Sequence, residues 1–217
     1  MEFLKRFFSG ATSKPDPVPP IPEGPLGLGK GVILNIDQAL KLLLDGTSEV
    51  AIPAAQQIFA EGVVDLGQSN WLTRLYLDDK DYWLQVHSTG TRDGQVEAVV
   101  LFNYTDCQVV HSNAELALIA GPQSKIGLPT IELDGKTYHR EWGESEGQTD
   151  LVELLERVTS PNESYEVKHH SMLYTRDIGL TGRKELLLYS VEEDQEGAVS
   201  VSTSLGVTLF TTDLQTV

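Results

Sequence analysis

The chain has 217 residues, a net charge of −16 and a single cysteine. So acidic a surface repels phosphate backbones, and we expect no nucleic-acid partner. The lone Cys107 excludes an intramolecular disulfide and is expected to be a small core residue within an apolar strand. No run reaches the ~20 apolar residues that cross a bilayer, and no apolar secretory signal core is present. The default expectation is therefore a cytoplasmic protein.

The first eight residues form a short amphipathic arm. On a helix its apolar face would carry Phe3, Leu4, Phe7 and Phe8, with Lys5 and Arg6 beside that face. Eight helical residues rise only about 12 Å, so the arm can lie on a membrane but cannot cross it. We predict that these six residues dock on another surface. Packing on the protein's own body or no order at all, a partner groove and an anionic lipid interface all stay open.

A proline-dense tether follows the arm. Residues 15–25 hold six of the ten prolines, and such a segment favours an extended polyproline II spacer. Residues 1–30 carry a net charge of +1, so the acidic charge belongs to residues 31–217. We therefore divide the chain into an arm and tether, residues 1–30, and an acidic body, residues 31–217. Residues 9–29 are expected to be poorly ordered and to lack helices and strands, and residues 27–31 to form the flexible end of the tether.

Three short helices are predicted in the body. The first covers residues 36–44, where apolar side chains recur at helical spacing. The second begins at Ser112, with Glu115 three residues later in the capping-box pattern, and ends before a Gly-Pro pair. The third follows Asp150, where apolar residues recur at helical spacing until Pro161 ends the pattern.

The rest of the body is predicted to form strands, at residues 71–77, 82–87, 96–104, 130–133, 136–142, 165–174, 185–191, 198–204 and 207–212. An acidic turn separates the first two strands, and Asp134-Gly135 predicts a type I′ hairpin between residues 130 and 142. The fold class is therefore α+β and β-dominated, with a mostly antiparallel sheet, sandwich or half-barrel. The body is either one unit or two sub-domains divided near residues 112–150.

No group of side chains has the spacing of a known reaction centre. The histidines at positions 87, 111, 139, 169 and 170 lack zinc-finger or H-E-x-x-H spacing, and two adjacent histidines on a strand face opposite ways. The acidic turn at residues 78–81 lacks the pattern of a calcium loop. Glu141 and Glu144 flank Trp142, which is only a weak indication of a proton-active carboxylate. We predict no catalytic residue, no cofactor and no bound metal.

Two segments resemble the YjfK-like family of bacterial proteins of unknown function. These are residues 71–86, WLTRLYLDDKDYWLQV, and residues 174–180, YTRDIGL, which are followed by ELLLY at 185–189. The resemblance carries no assigned site. It implies, by genetic association only, a role beside PspA-like membrane-remodelling proteins in envelope stress.

Three functions stay open at this point. The first is a non-catalytic cytoplasmic adaptor whose acidic body binds a protein partner, with weak peripheral membrane contact through the arm. The second is a small-ligand binder or enzyme whose site lies between the strands before and after the middle helix. The third is a self-assembling structural protein with exposed strand edges.

Overall fold

The computed structural model describes residues 24–216, which contain two α-helices and twelve strands. The helices are α1, Ala39–Leu44, and α2, Asn113–Ala120. The strands are β1 Ile33–Ile36, β2 Gln56–Gly67, β3 Asn70–Leu77, β4 Tyr82–Thr89, β5 Gln95–Val110, β6 Thr130–Leu133, β7 Lys136–Arg140, β8 Val152–Thr159, β9 Ser164–Asp177, β10 Lys184–Glu193, β11 Val199–Leu209 and β12 Leu214–Thr216. The arm and most of the tether, residues 1–23, lie outside the described residues.

Eight of the strands close into an antiparallel barrel. The order around it is β2, β3, β4, β5, β11, β10, β9 and β8, and β8 pairs back onto β2. Four strands from before residues 112–150 and four from after them therefore join at two seams, β5–β11 and β8–β2, into one hydrogen-bonded ring. The prediction of a β-dominated, mostly antiparallel body is confirmed, and the ring is closed where a sheet, sandwich or half-barrel was expected.

One contact identifies the inside of the barrel. Arg74 on β3 and His169 on β9 are separated by two strands, yet Nη1 of the arginine lies 3.4 Å from Nε2 of the histidine. Neighbouring strands are about 4.8 Å apart, so such side chains can meet only on the concave face. The same alternation places Trp83 and Phe102 inside, where their rings stack with centroids 4.3 Å apart.

The outer face of the barrel is buried as well, over the part that the other elements cover. Leu75, Leu84 and Leu101 point outward from β3, β4 and β5 and are fully buried. They belong to one apolar core with Leu34 of β1 and Tyr138 of β7. Strands such as β5 therefore have two apolar faces, as their nearly continuous hydrophobic sequence predicts.

Two inward-facing glycines make room for large groups. A Cβ at Gly206 on β11 would lie 2.6 Å from the Phe102 ring, and a Cβ at Gly62 on β2 would lie 1.6 Å from the carboxylate of Glu156. Both distances are far below van der Waals contact. Two strands, 198–204 and 207–212, were predicted with a break between them, but β11 runs without interruption through Gly206. The glycine fits a crowded inner wall and does not mark a turn.

The helix predicted after Asp150 is wrong, because this segment is strand β8. Leu154, Glu156 and Val158 point inward at the two-residue period of a strand, while the residues between them are exposed. The sequence of this segment fits both the helical period and the two-residue period of a strand. It forms a strand because it pairs with β2 and β9.

The helix predicted over residues 36–44 is shorter than expected, since Ile36 ends strand β1 and α1 begins at Ala39. The capping prediction for α2 is confirmed, because Ser112 Oγ accepts a hydrogen bond from the Glu115 backbone N–H.

Strand β2 had no counterpart among the predicted elements. Leu28, expected in the flexible end of the tether, is 1 % exposed and packs in the outer core.

Gly206→Ala is expected to destabilise the protein by about 1–3 kcal/mol, because the added methyl group overpacks the inner wall. The Phe102 ring cannot move away easily, since Trp83 stacks on it. The measurement is the free energy of unfolding in urea. Gly147→Ala is the matched control, since the nearest atom to its added Cβ lies 3.9 Å away. Equal stability of the two variants would contradict the packing described here.

Candidate functional site

A charged cluster lies inside the barrel, at the centre of the β3–β2–β8–β9 wall. The Glu156 carboxylate accepts a hydrogen bond at Oε2 from Arg74 Nη1, at 2.6 Å, and at Oε1 from the Tyr76 hydroxyl, at 2.8 Å. His169 Nε2 lies 2.8 Å from the same Oε2. An ionised carboxylate only accepts, so Nε2 carries the proton in this contact. The cluster joins three strands across β2, where Gly62 leaves the space.

The electrostatics of the cluster favour an ionised Glu156. Burial by itself would raise the pKa of this carboxyl group, but Arg74, His169 and Tyr76 outweigh burial and lower the pKa to about 2. For Arg74, burial opposes the charge while Glu156 raises the pKa of the guanidinium above its usual value. Burial and the neighbouring Glu156 raise the pKa of Tyr76 well above its usual value. The tyrosine therefore stays a hydrogen-bond donor.

The cluster continues through buried hydroxyl groups. His169 Nδ1 lies 3.1 Å from Ser190 Oγ, which lies 2.9 Å from Ser171 Oγ. Glu156, His169 and Ser190 thus form a Glu–His–Ser chain, the residue types of a hydrolase triad. A nucleophile must be reached by its substrate, however, and Ser190 is only 3 % exposed. The geometry is that of a satisfied structural network, which holds the barrel wall together.

A pocket opens at the end of the barrel where β3 ends and β4 begins. Its volume is about 280 Å³, and it is lined by Phe59, Tyr76, Leu77, Asp78, Lys80, Tyr82, Tyr104 and Asn162. Tyr76 belongs to both features, since its ring lines the pocket and its hydroxyl group bonds Glu156. Trp83 lies behind the pocket, with its ring centroid 6.3 Å from those of Tyr76 and Tyr104. We call this feature the aromatic pocket.

Acidic turns lie at the same end of the barrel as the aromatic pocket. In an antiparallel barrel, the β3–β4, β8–β9 and β10–β11 turns all lie at the same end. The first contains Asp78, Asp79 and Asp81, and the third follows the pair Glu192-Glu193. From the sequence, residues 78–81 are recognised as an acidic turn between two strands. The fold brings the acidic turns together with the pocket at one end of the molecule, which we call the acidic end.

The other residues considered from sequence do not form a reaction centre. The predicted docking residues Phe3, Leu4, Lys5, Arg6, Phe7 and Phe8 lie outside the described residues. Cys107 is half-buried, and burial raises the pKa of its thiol, which disfavours the reactive thiolate. Trp142 packs against the inner-wall clusters at the barrel end opposite the pocket, and Glu141 beside it accepts a hydrogen bond from Thr175.

His169 and His170 face opposite sides of β9, as predicted, and only His169 joins the buried cluster. Within residues 24–216, no group of three or more His, Cys, Asp or Glu side chains has a geometry that could hold a metal ion. In the same range, none of the helices has the length and hydropathy needed to span a membrane.

The cluster of Arg74, Tyr76 and Glu156 was missed from sequence. The sequence does give one indication for Arg74. It interrupts the run WLTRLYL, which is apolar on both faces of a strand, so neither face of this strand is expected to be exposed to water. A charged residue in such a place requires a buried partner. Glu156 could not be identified as that partner, because its segment was assigned to a helix and its pairing with β2 is not visible in the sequence.

Glu156→Gln is expected to lower the free energy of unfolding by about 3–5 kcal/mol at pH 7, because it leaves the Arg74 charge buried without its counter-ion. The variant should also change how the free energy of unfolding depends on pH in the acid range. Since folding lowers the pKa of Glu156, the stabilisation is present above the unfolded-state pKa of about 4.5 and is lost as the pH falls toward 2. The wild type should therefore lose about 3 kcal/mol more than the variant between pH 5 and pH 2.

Urea unfolding measured across that pH range provides the test. Glu153→Gln, on the exposed face of the same strand, is the control and should follow the wild type. Parallel pH profiles for wild type and Glu156→Gln would show that the pair does not stabilise the fold as described.

Comparison with known proteins places the chain in a family. No curated protein and no solved structure matches it. A family model described as "Protein of unknown function (DUF2491)" matches residues 3–215, which is nearly the whole chain and includes the arm, the barrel and the acidic end. The chain therefore belongs to this family of proteins of unknown function.

Proposed function

We propose that this protein is a non-catalytic accessory protein, an adaptor, which binds a basic protein partner at its acidic end. The observation that carries the proposal is that the acidic turns and the aromatic pocket lie together at one end of the barrel. Protein interfaces commonly combine aromatic anchors in a central pocket with a polar rim, and complementary charge accelerates and orients association. The acidic end has this composition.

The distribution of cations supports a surface that attracts basic partners. Seven Lys and Arg side chains within residues 24–216 pair with carboxylates, and three of these pairs, Arg74–Glu156, Arg176–Glu185 and Arg183–Asp213, are largely buried. About half of the Lys and Arg side chains in this range are thus already paired with a carboxylate of the same chain. Most of the net charge of −16 is left on exposed carboxylates, and the field of such a surface favours cationic partners.

The identity of the partner is proposed from the resemblance found in the sequence. If the chain is YjfK-like, the partner is a PspA-like membrane-stress protein, whose charged helices suit an acidic counterpart. In this proposal the protein is bacterial and cytoplasmic, and it contacts the inner membrane peripherally through its partner or its arm. No catalytic step is assigned, because the Glu156–His169–Ser190 chain is enclosed in the barrel wall.

The proposal is tested with the full chain and a purified PspA-like protein, by measuring the dissociation constant at several salt concentrations. Asp78→Asn, Asp79→Asn and Asp81→Asn together should weaken binding about tenfold or more and reduce its salt dependence, because attraction between exposed charges is screened. The matched control neutralises three exposed carboxylates at the opposite end of the barrel, in or beside the β2–β3 and β4–β5 turns, with Asp65→Asn, Asp93→Asn and Glu97→Gln.

An equal loss in both triple variants would mean that net charge, and not the acidic end, drives association. Failure of the wild type to bind would contradict the PspA-like partner. A capture experiment with an immobilised Lys- and Arg-rich peptide would then separate a wrong partner from a wrong surface, since the acidic end should still retain such a peptide.

A second candidate function is the binding of a small ligand in the aromatic pocket. It is favoured by the hydrogen bond between Tyr76 and Glu156, which links the wall of the pocket to a buried charge. Seven of its eight lining residues precede α2, and only Asn162 of the β8–β9 turn follows it, so the pocket lies mainly on the first group of strands and not midway between the two groups. Its volume of about 280 Å³ is at the lower limit for metabolite-sized ligands, which is why the adaptor function is preferred.

A further inference from the structure

We infer that the aromatic pocket is the binding site of the chain's own N-terminal arm, residues 1–8. The inference concerns a contact within one chain, and it holds whether or not a basic partner exists. The occupant is identified from the chemistry of the pocket, its charged surroundings and the place where the described chain begins.

The pocket has the chemistry of a receptor for an aromatic side chain. Phe59, Tyr76, Tyr82 and Tyr104 present ring surfaces, and aromatic pairs stabilise one another beyond the area they bury. Lys80 adds an ammonium group, which is attracted to the face of an inserted ring. A volume of about 280 Å³ accommodates one or two side chains, whereas drug-sized ligands occupy about 300–1,000 Å³. The arm offers three phenylalanines within eight residues.

The charges around the pocket match the arm. Lys5 and Arg6 lie between the phenylalanines. Asp78 lines the pocket, and Asp79 and Asp81 lie in the same turn, close to Tyr82 of the pocket wall. An inserted phenyl ring would therefore bring the two cations of the arm beside three carboxylates. Because both partners belong to one chain, the effective concentration is in the millimolar range, and even a weak contact is populated.

The start of the described chain, Gly24, lies close enough to the pocket for the tether to place the arm there. At Gly24, an added Cβ would be 3.7 Å from Arg92 Nη2, and the Arg92 guanidinium pairs with Glu61 at 2.8 Å. Glu61 lies on β2, two residues from Phe59 in the pocket wall, a separation of about 7 Å along a strand. Residues 9–23 connect the arm to Gly24 and span up to about 45 Å as polyproline II. The tether therefore reaches the pocket with length to spare.

The test is photo-cross-linking of the full-length protein in dilute solution. Phe7→p-benzoylphenylalanine should form adducts within the chain, which mass spectrometry should locate at residues 56–60, 76–82, 104 or 162. The control places the same photo-reactive residue in the tether, with Val18→p-benzoylphenylalanine, and should give few adducts at those positions. Adducts elsewhere on the body, or only between chains, would overturn the inference.

Hydrogen exchange provides an independent measurement on folded protein. Phe7→Ser with Phe8→Ser should accelerate amide exchange in residues 76–82 several-fold, while exchange in β9 and β10 stays unchanged. Lys5→Ser with Arg6→Ser should give a smaller acceleration at the same amides, because it removes only the charge contribution. Identical exchange at residues 76–82 in the wild type and the phenylalanine variant would also overturn the inference.

Discussion

The barrel depends on one buried ion pair, which connects Arg74 of β3 to Glu156 of β8 across β2. This contact requires a carboxylate on β8, the strand that closes the ring against β2, an arginine two strands away on β3, and a glycine between them on β2. A buried ion pair adds little net stability compared with well-packed apolar residues, but either ion left alone is strongly destabilising. The pair therefore penalises any other register of β8, since a shift by one residue would turn Glu156 outward and leave Arg74 unpaired.

The two buried faces of the barrel wall have different compositions. The outer face is covered by β1, α1 and the β6–β7 hairpin and is mostly apolar, with the buried Arg176–Glu185 pair as an exception, whereas the inner face combines stacked aromatic rings with charges and hydroxyl groups. Adaptation to function is therefore expected at the barrel ends, because substitutions along the wall disturb one core or the other. The aromatic pocket fits this pattern, since its rings continue the inner aromatic packing out to the surface.

Local signals predicted those elements that are defined by local chemistry. The cap at Ser112, the Asp134-Gly135 turn and the strands on either side of residues 78–81 agree with the structure. The sequence could not assign β8, because residues 151–158 satisfy helical and strand periodicity equally, and pairing with a strand about ninety residues away decides between them. The candidate site was inaccessible for the same reason. The acidic turns were visible individually, but their convergence at one end is a property of the closed ring.

The position of β8 in the chain has a consequence for biosynthesis. Strand β2 emerges from the ribosome early, whereas the strand that covers its second edge is translated only after β3 to β7 have been made. Until then β2 presents an unpaired edge, which can pair with other chains. The wide sequence separation also predicts slow closure, since loop entropy must be lost before the contacts of the ring form. A nascent chain released before residue 152 would keep this edge exposed, so protection by chaperones matters most for truncated products of this protein.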